Sequence, residues 1–392
     1  MITNGFTYIA FLMFLAGVLL AAEKYTKWKV FNYVPPLVWI YVLNMVFCTM
    51  GLYHSDACSA TYSALKNNLL YAMIFVMLLR CDFRKLAKLG GRMVAIFLGC
   101  SATLFIGFVA GYPIFKSFLG KNTWGAVASL YASWVGGSAN MAAMQAALHV
   151  DAGAYSCALA LDTVCYSVWI ALLLLAVRYA GKWNKTVKAD TSKLQAVADA
   201  ANVEVAKEHN KANASDWLFL IGLSLIVSAL SQKVGAGLSG ALTSAGAGMF
   251  DQGTITTVFV TLLGLACAMT PLGKLPAVEE LSNVYLYAVV SLLASTASVV
   301  DLLSAPMWVV YGVFILAIHV VLMFLLSKTF HWDLCMVSTA SLANIGGAAS
   351  APIVASAYDP SYAGIGVLMG VLGAAIGNFF GLGAGAILKL LA

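Results

Sequence analysis

The chain has 392 residues, of which 62% are hydrophobic and only 10% charged, with a formal net charge of +6 and a mean hydropathy of +0.90. Soluble domains carry about 25% charged residues, so this composition excludes a protein bounded by water on all sides. The basic residues cluster beside apolar runs, which excludes nucleic-acid binding as the reason for the positive charge, and the eight cysteines are scattered without a CxxC pair, which argues against a metal ribbon or disulfide framework.

The opening run MITNGFTYIAFLMFLAGVLLAAEKY has no basic leader and is long for a signal peptide, so it is expected to remain as a first span. Four more apolar segments follow, giving 6–22, 34–52, 67–80, 91–115 and 154–178. The run is interrupted at 122–150 by WVGGSANMAAM. A polar stretch at 181–215, rich in Ala, Glu and Lys, predicts a surface helix. The pattern then recurs as 216–232, 253–271, 283–300, 306–327 and 361–388, with a second interruption at 334–358 containing NIGGAASAPIV. VGGSAN at 135–140 matches IGGAAS at 345–350, LYA at 70–72 matches LYA at 286–288, and Asp82 matches Asp301. The common order predicts an internal duplication.

Charge decides the expected topology. If each interruption enters and leaves on one side, each half crosses five times and the halves run in opposite directions. With the N-terminus outside, Lys24, Lys27, Lys29, Arg80, Arg84, Lys85, Lys88, Arg92, Arg178, Lys182, Lys185, Lys188, Lys193, Lys207, Lys211, Lys274 and Lys328 lie inside. Lys66, Lys116, Lys121, Lys233 and Lys389 lie outside, a split of 17 against 5 of the 22 basic residues. Full crossings at both interruptions give 9 against 13. Positive loops stay cytoplasmic, so the expectation is an all-α polytopic membrane protein of two inverted repeats, 1–180 and 216–392, each of five spans plus a re-entrant hairpin, joined by a cytoplasmic linker at 181–215, in the cell (inner) membrane.

Irregular backbone survives at membrane depth only where protein buries it or water reaches it. Gly136–Gly137 and Gly346–Gly347 permit tight turns, and the peptide groups freed there can bind a solute or ion. Ser138, Asn140, Asn344 and Ser350 supply side-chain oxygens and amides beside them; close helix packing is the structural alternative for these small residues. Asp162, in ALALDTVCYSVW, places a carboxylate in an apolar span at a cost of at least about 2.5 kcal/mol on insertion scales. It is a candidate to bind Na⁺, carry a proton or pair with a cationic solute; Thr163 lies beside it, and Asn378, in GAAIGNFFG, is a further oxygen donor suited to a hard cation, with interhelical hydrogen bonds as the structural alternative for Asp162 and Asn378. Asn44, Gln145 and His319 read as structural polar groups, Asp82 as part of an interfacial ion-pair cluster, and His149 and Asp151 as loop caps, while Pro352 helps fix the second tip. No P-loop, GxGxxG, HExxH or GxSxG occurs. The expectation is therefore a non-enzyme without cofactor, driven by an ion gradient.

The motifs GGSANMAAM, ALDTV, ASLANIGGAASAPIVA and GVLGAAIGNFFG together resemble the membrane family labelled domain of unknown function 819 (YjcL-like), over nearly the whole chain. Where that family commonly reads Ala-Asp-Asn-Val, this chain reads Leu161-Asp162-Thr163-Val164; where it reads Ala-Asn-Val-Gly-Gly-Pro, Ala348 replaces the proline. More distantly the pattern is similar to glutamate:sodium and citrate:sodium symporters. That resemblance implies two glycine-rich hairpins in a mobile core that slides against a scaffold, as an elevator, in a homodimer. The combined expectation is an ion-coupled symporter of a small organic solute, such as an amino acid or carboxylate. A cation/proton antiporter, or a membrane channel or sensor, is the alternative. The partners expected are that solute, the bilayer and a second copy.

Overall fold

A computed structural model gives the chain as helices, with no strand among the described residues, which are all except 27, 29, 193, 206–211, 245–251 and 301–304. Asp301, Lys27, Lys29, Lys193, Lys207 and Lys211, used above for the duplication and the charge count, lie outside the described residues. The first half comprises α1 (Gly5–Thr26), α2 (Val30–Tyr33), α3 (Pro36–Thr49), α4 (Asp56–Leu78), α5 (Phe83–Leu86), α6 (Gly90–Leu119), α7 (Trp124–Gly136), α8 (Ser138–Ala147) and α9 (Ala152–Ala176). Then come α10 (Ala180–Val187) and α11 (Leu194–Val205). The second half comprises α12 (Ala214–Ser244), α13 (Gln252–Ala268), α14 (Val278–Ala294), α15 (Ala305–Phe330), α16 (Leu334–Ile345), α17 (Gly347–Tyr358) and α18 (Ala363–Leu390).

Helix starts follow local chemistry. Pro36 opens α3 at a position where its missing N–H costs nothing. Ser55, Asp151 and Asp333 cap α4, α9 and α16 by accepting from Cys58, Gly153 and Met336 backbone N–H groups at 3.2, 2.9 and 3.0 Å. Asp151 is thus a cap, as expected. Among the described residues six helices are long and apolar enough to cross a membrane, α1, α6, α9, α12, α15 and α18, and α3, α13 and α16 are shorter apolar helices. The protein is a multi-pass, membrane-type helical bundle.

Hydrogen bonds between helix ends give the directions. Arg80, just past α4, pairs with Glu279 at the start of α14 at 2.9 Å. Arg84 holds Asp82 at 2.8 Å and donates to the Met269 carbonyl at the end of α13, so Asp82 does sit in a charged cluster at a helix end. Arg92, at the start of α6, donates to Asp190 at 2.9 Å and to the His331 carbonyl after α15 at 2.7 Å. At the other end, Trp308 of α15 donates to the Leu119 carbonyl closing α6, and Lys389 lies over the Trp124 ring, 5.5 Å from its centroid. Arg80, Arg84 and Arg92 share one end of the bundle and Lys389 the opposite one.

Two helical groups emerge. In one, α4 packs against α12, α13 and α14, with α1 and α3 beyond α14. In the other, α18 runs against α7, α8, α16 and α17, and α6 packs with α15 and α16. Gly366, Gly370, Gly373, Gly377, Gly381 and Gly385 of α18 recur at spacings of three or four, which puts them on one face. A Cβ at Gly366 would lie 2.5 Å from the Pro352 nitrogen, one at Gly377 would lie 3.0 Å from the Gly136 Cα, and one at Gly381 would lie 2.7 Å from Met144 and Ala132. This bare face lets α7, α8 and α17 approach α18 backbone to backbone, the small-residue packing expected in an apolar medium. The polar stretch folds partly as α11, which buries Leu194, Ala198 and Ala201 and docks at the start of α18 through Asn202, donating to the Ser361 carbonyl at 2.7 Å. No cysteine is in a disulfide among the described residues, and all but Cys267 are buried.

Candidate functional site

Both GG pairs break a helix. Gly137 has φ +92° and Gly347 φ +69°, conformations that cost a residue with a Cβ about 1–2 kcal/mol. Gly137 also closes α7 by donating to the Ser133 carbonyl at 2.7 Å, and α8 starts at once with Ser138. The α7–α8 pair folds back on itself: a Cβ at Gly125 near its beginning would lie 3.1 Å from Val150 beyond its end. The α16–α17 pair does the same, with the Ser338 and Tyr358 hydroxyls 3.1 Å apart. The two pairs come from opposite ends of the bundle and their tips meet: a Cβ on Gly347 would be 3.9 Å from the Gly137 Cα.

Around this junction the sequence-predicted residues fall into distinct environments. Gly136 is wedged between the Asn140 amide and the Gly373 carbonyl, so no side chain fits there. Asn140 is fully buried; its Nδ2 donates to the Gly136 carbonyl at 2.8 Å and leans toward the Ala374 carbonyl at 3.5 Å. Its Oδ1 is buried without a donor. Ser138 is half-buried at the tip. In the second pair, Asn344 is buried and bonded at both ends of its amide: its Oδ1 accepts from Ser101 at 2.7 Å, and its Nδ2 donates to the Ala340 carbonyl at 2.9 Å and the Phe97 carbonyl at 3.4 Å. Asn344 thus ties α16 to α6, and its oxygen keeps a second lone pair. Ser350 donates to the Gly346 carbonyl at 3.0 Å and meets the Tyr166 hydroxyl at 2.9 Å. The Tyr166 ring also covers Gly346, 2.7 Å from where a Cβ would be.

Asp162 faces α7. Its Oδ1 accepts from Trp134 Nε1 at 2.8 Å and its Oδ2 from Ser133 Oγ at 3.1 Å. Both donors are neutral, and no cation pairs with this carboxylate among the described residues. Thr163 donates its hydroxyl to its own helix, to the Leu159 carbonyl at 2.9 Å. Asn378 is buried on α18; its Nδ2 donates to Thr261 Oγ1 on α13 at 3.0 Å, and its Oδ1 has no donor.

Asp162 and Asn378 have separate side-chain partners, Ser133 and Trp134 of α7 for the carboxylate and Thr261 of α13 for the amide. Asp162 sits with Ser133 and Trp134 between α9 and α7, Asn378 pairs with Thr261 between α18 and α13, and Asn140 of α8 lies against Gly377 of α18. Each of the two orphaned amide oxygens carries a desolvation penalty of about 1–3 kcal/mol.

The other polar candidates make structural hydrogen bonds. Asn44 bonds the Ile40 carbonyl at 2.8 Å and the Tyr53 hydroxyl at 2.7 Å, and Gln145 donates to the Val150 carbonyl at 2.9 Å while its Oε1 is buried without a donor. His319 sits in a chain. Thr103 spends its proton on the Cys100 carbonyl at 2.8 Å, so it accepts from His319 Nδ1 at 2.7 Å. Trp169 donates to Ser341 at 2.9 Å, and Ser341 then donates to His319 Nε2 at 2.8 Å. Both ring nitrogens are satisfied in one neutral tautomer. Sequence reasoning missed Ser133, Tyr166, Ser101 and Thr261, which carry no signal in spacing, and the α18 glycine face, whose three-and-four spacing was available.

A family model described as "Protein of unknown function (DUF819)" matches residues 10–391. No curated protein matches the chain.

Proposed function

The chain belongs to the DUF819 family of proteins of unknown function, and on that footing we propose that it is a secondary active transporter of a small organic solute such as an amino acid or carboxylate, coupled to Na⁺ or H⁺. The observation that carries this reading is the meeting of two broken helix pairs from opposite ends of the bundle at Gly137 and Gly347. In this reading they are re-entrant hairpins of two inverted repeats, 1–180 and 216–392, with 181–215 a cytoplasmic linker. The charge distribution and the helix-end contacts support it, because basic residues gather at one end.

The solute lies at the tips. α8 starts at Ser138 and α17 at Gly347, so two helix N-termini converge with their partial positive charge. That arrangement suits an anionic substituent in a region poor in deep Lys and Arg. Gly136, Gly137, Gly346 and Gly347 offer close backbone approach, and Ser138, Asn140, Asn344 and Ser350 offer polar contacts. Tyr166, on the helix that carries Asp162, links the carboxylate's helix to Ser350. Asp162 carries the coupling charge: a conformational change that parts α9 from α7 frees it from Ser133 and Trp134. Coupling follows if ion and solute each bind the closed arrangement better when the other is present. The α18-centred group is the mobile core, the α4-centred group the scaffold of a homodimer in the cell membrane, and the motion an elevator. The protein acts without an organic cofactor and is not an enzyme.

A second reading, a cation/proton antiporter, is favoured by one observation: Asp162 has only neutral partners, as a group that exchanges Na⁺ for H⁺ requires in its neutral state. A screen of amino acids and carboxylates by thermal shift, in Na⁺ and in K⁺, followed by gradient-driven uptake of each hit into proteoliposomes, tests both. Solute uptake abolished by Asp162→Asn supports the symporter. Solute-free, pH-dependent Na⁺ flux supports the antiporter, and binding without flux supports a sensor.

A further inference from the structure

We propose that Asn140 and Asn378, with Thr261, form a binding site for a dehydrated alkali cation at the junction of α8, α13 and α18, distinct from the Asp162 centre. Both asparagines are buried, at 0% and 1% exposure. Each commits its NH₂ group, Asn140 to the Gly136 carbonyl and Asn378 to Thr261 Oγ1, and each leaves its amide oxygen buried without a donor. These are two of nine buried side-chain N or O atoms without a partner among the described residues. Gly377, which precedes Asn378, lies against the Asn140 amide, 2.8 Å from Cγ to where its Cβ would be, and α13 packs on both α8 and α18.

The chemistry selects the ligand. The unfilled groups are oxygens, and Thr261 Oγ1 is a third oxygen already receiving a proton from Asn378. A hard cation satisfies such a set where an anion or an apolar group does not. No carboxylate contributes, and no group of three or more His, Cys, Asp or Glu occurs among the described residues. A divalent ion would leave its charge uncompensated, whereas neutral oxygen dipoles suffice for a monovalent one. The break after α7 adds to this, because Gly136 ends that helix and its carbonyl end carries partial negative charge. The glycine at 377 gives the amide its room: any side chain there would displace Asn140.

The inference gives the transporter a second ion site and takes only its purpose from that reading, because binding is measurable without flux. The full-length protein in nanodiscs is heated in NaCl, KCl or choline chloride at equal osmolality, in an Asp162→Asn background so that any response comes from the second centre. A saturable rise in Tm with Na⁺ or K⁺ over choline is expected. Asn140→Ala should raise the ion concentration at half-effect at least tenfold. Asn378→Asp keeps the oxygens and adds a buried charge that a bound cation offsets. It should be less stable than its parent in choline and respond at an ion concentration at least tenfold lower. If Asn378→Asp is equally destabilised in all three salts, the oxygens face water or each other and the proposal is overturned. If Asn140→Ala folds and keeps the parental midpoint, the ion binds elsewhere and the proposal is again overturned. Should Asn140→Ala fail to fold, Asn378→Asp decides. Ion-dependent Tm together with no solute uptake by the protein with Asp162 intact removes the transporter reading and leaves the site; uptake by that protein with a midpoint indifferent to both asparagines does the reverse.

Discussion

Replacing Gly366 with Ala tests the bare face of α18 on which both broken helix pairs rest. A Cβ there would sit 2.5 Å from the Pro352 nitrogen, 2.6 Å from the Ala351 carbonyl carbon and 2.8 Å from its oxygen. All three are backbone atoms and cannot rotate aside. Carbon contacts are comfortable near 3.5–4.0 Å, so α17 and α18 must part by roughly 1 Å. Overpacking of that kind costs about 1–3 kcal/mol, and a gap of that size forfeits a quarter to a half of the dispersion well at neighbouring contacts. Against this, Ala gains about 1 kcal/mol over Gly in helix propensity. The clash wins because the parting also loosens the seam at Gly370, whose Cβ position already overlaps Ala348. Gly383→Ala is the control: that position is exposed with nothing within 4 Å, so propensity acts alone. The buried cysteine thiols make a thiol-reactive fluorophore a direct reporter of unfolding. Net of the propensity gain the loss is about 0–2 kcal/mol, so Gly366→Ala should melt up to about 4 °C below wild type, at about 2 °C per kcal/mol for a chain of this size, and Gly383→Ala at or slightly above it. A Gly366→Ala protein that melts with or above the Gly383→Ala control would refute the close backbone packing of α17 on α18.

Three more outcomes are expected. Trp134→Phe keeps the edge-on ring contact with Phe108, 5.2 Å between centroids, but removes the donor to Asp162; it should cost about 1–3 kcal/mol in thermal stability and weaken gradient coupling in proteoliposomes, and unchanged values in both would mean that Trp134 does not hold the carboxylate. His319→Leu breaks the Thr103–His319–Ser341 chain and should cost about 1–3 kcal/mol by leaving hydroxyls unsatisfied, with His319→Gln, which retains a donor and an acceptor, recovering part of the melting temperature. Asp190, at the exposed helix-end cluster, is drawn down to about 2 by the Ser192 hydroxyl and backbone N–H and then by Arg92. A depressed carboxylate stabilises above its unfolded value of about 3.9 and loses that contribution as pH falls through the folded one. Protease cutting of the 181–215 linker should therefore rise between about pH 4 and pH 2 in wild type, and Asp190→Asn should show the raised level already at neutral pH; equal cutting of the two at neutral pH would show that the Arg92 contact does not anchor the linker.

The amino-acid sequence by itself determined the class of the molecule, the order of its helices and the places where they break. Those are local properties. A charged fraction too low to face water, an Asp or Ser before an apolar run, and a glycine pair that must adopt positive φ act over a few residues. Gly137, Gly347, Asp151 and Asp333 therefore do what their neighbours along the chain require. Only the tertiary structure decided which polar groups meet. Asp162 and Asn378 both read as oxygen ligands inside apolar spans, and the fold gives Asp162 to Ser133 and Trp134 on α7 and Asn378 to Thr261 on α13. Asn344 read as a solute contact, and its oxygen also accepts from Ser101, 243 residues earlier, a tie that spacing does not show. Hydropathy says that a residue is buried and nothing about its partner, because the azimuth of each helix is set by how side-chain ridges and bare glycine faces fit together across the whole bundle.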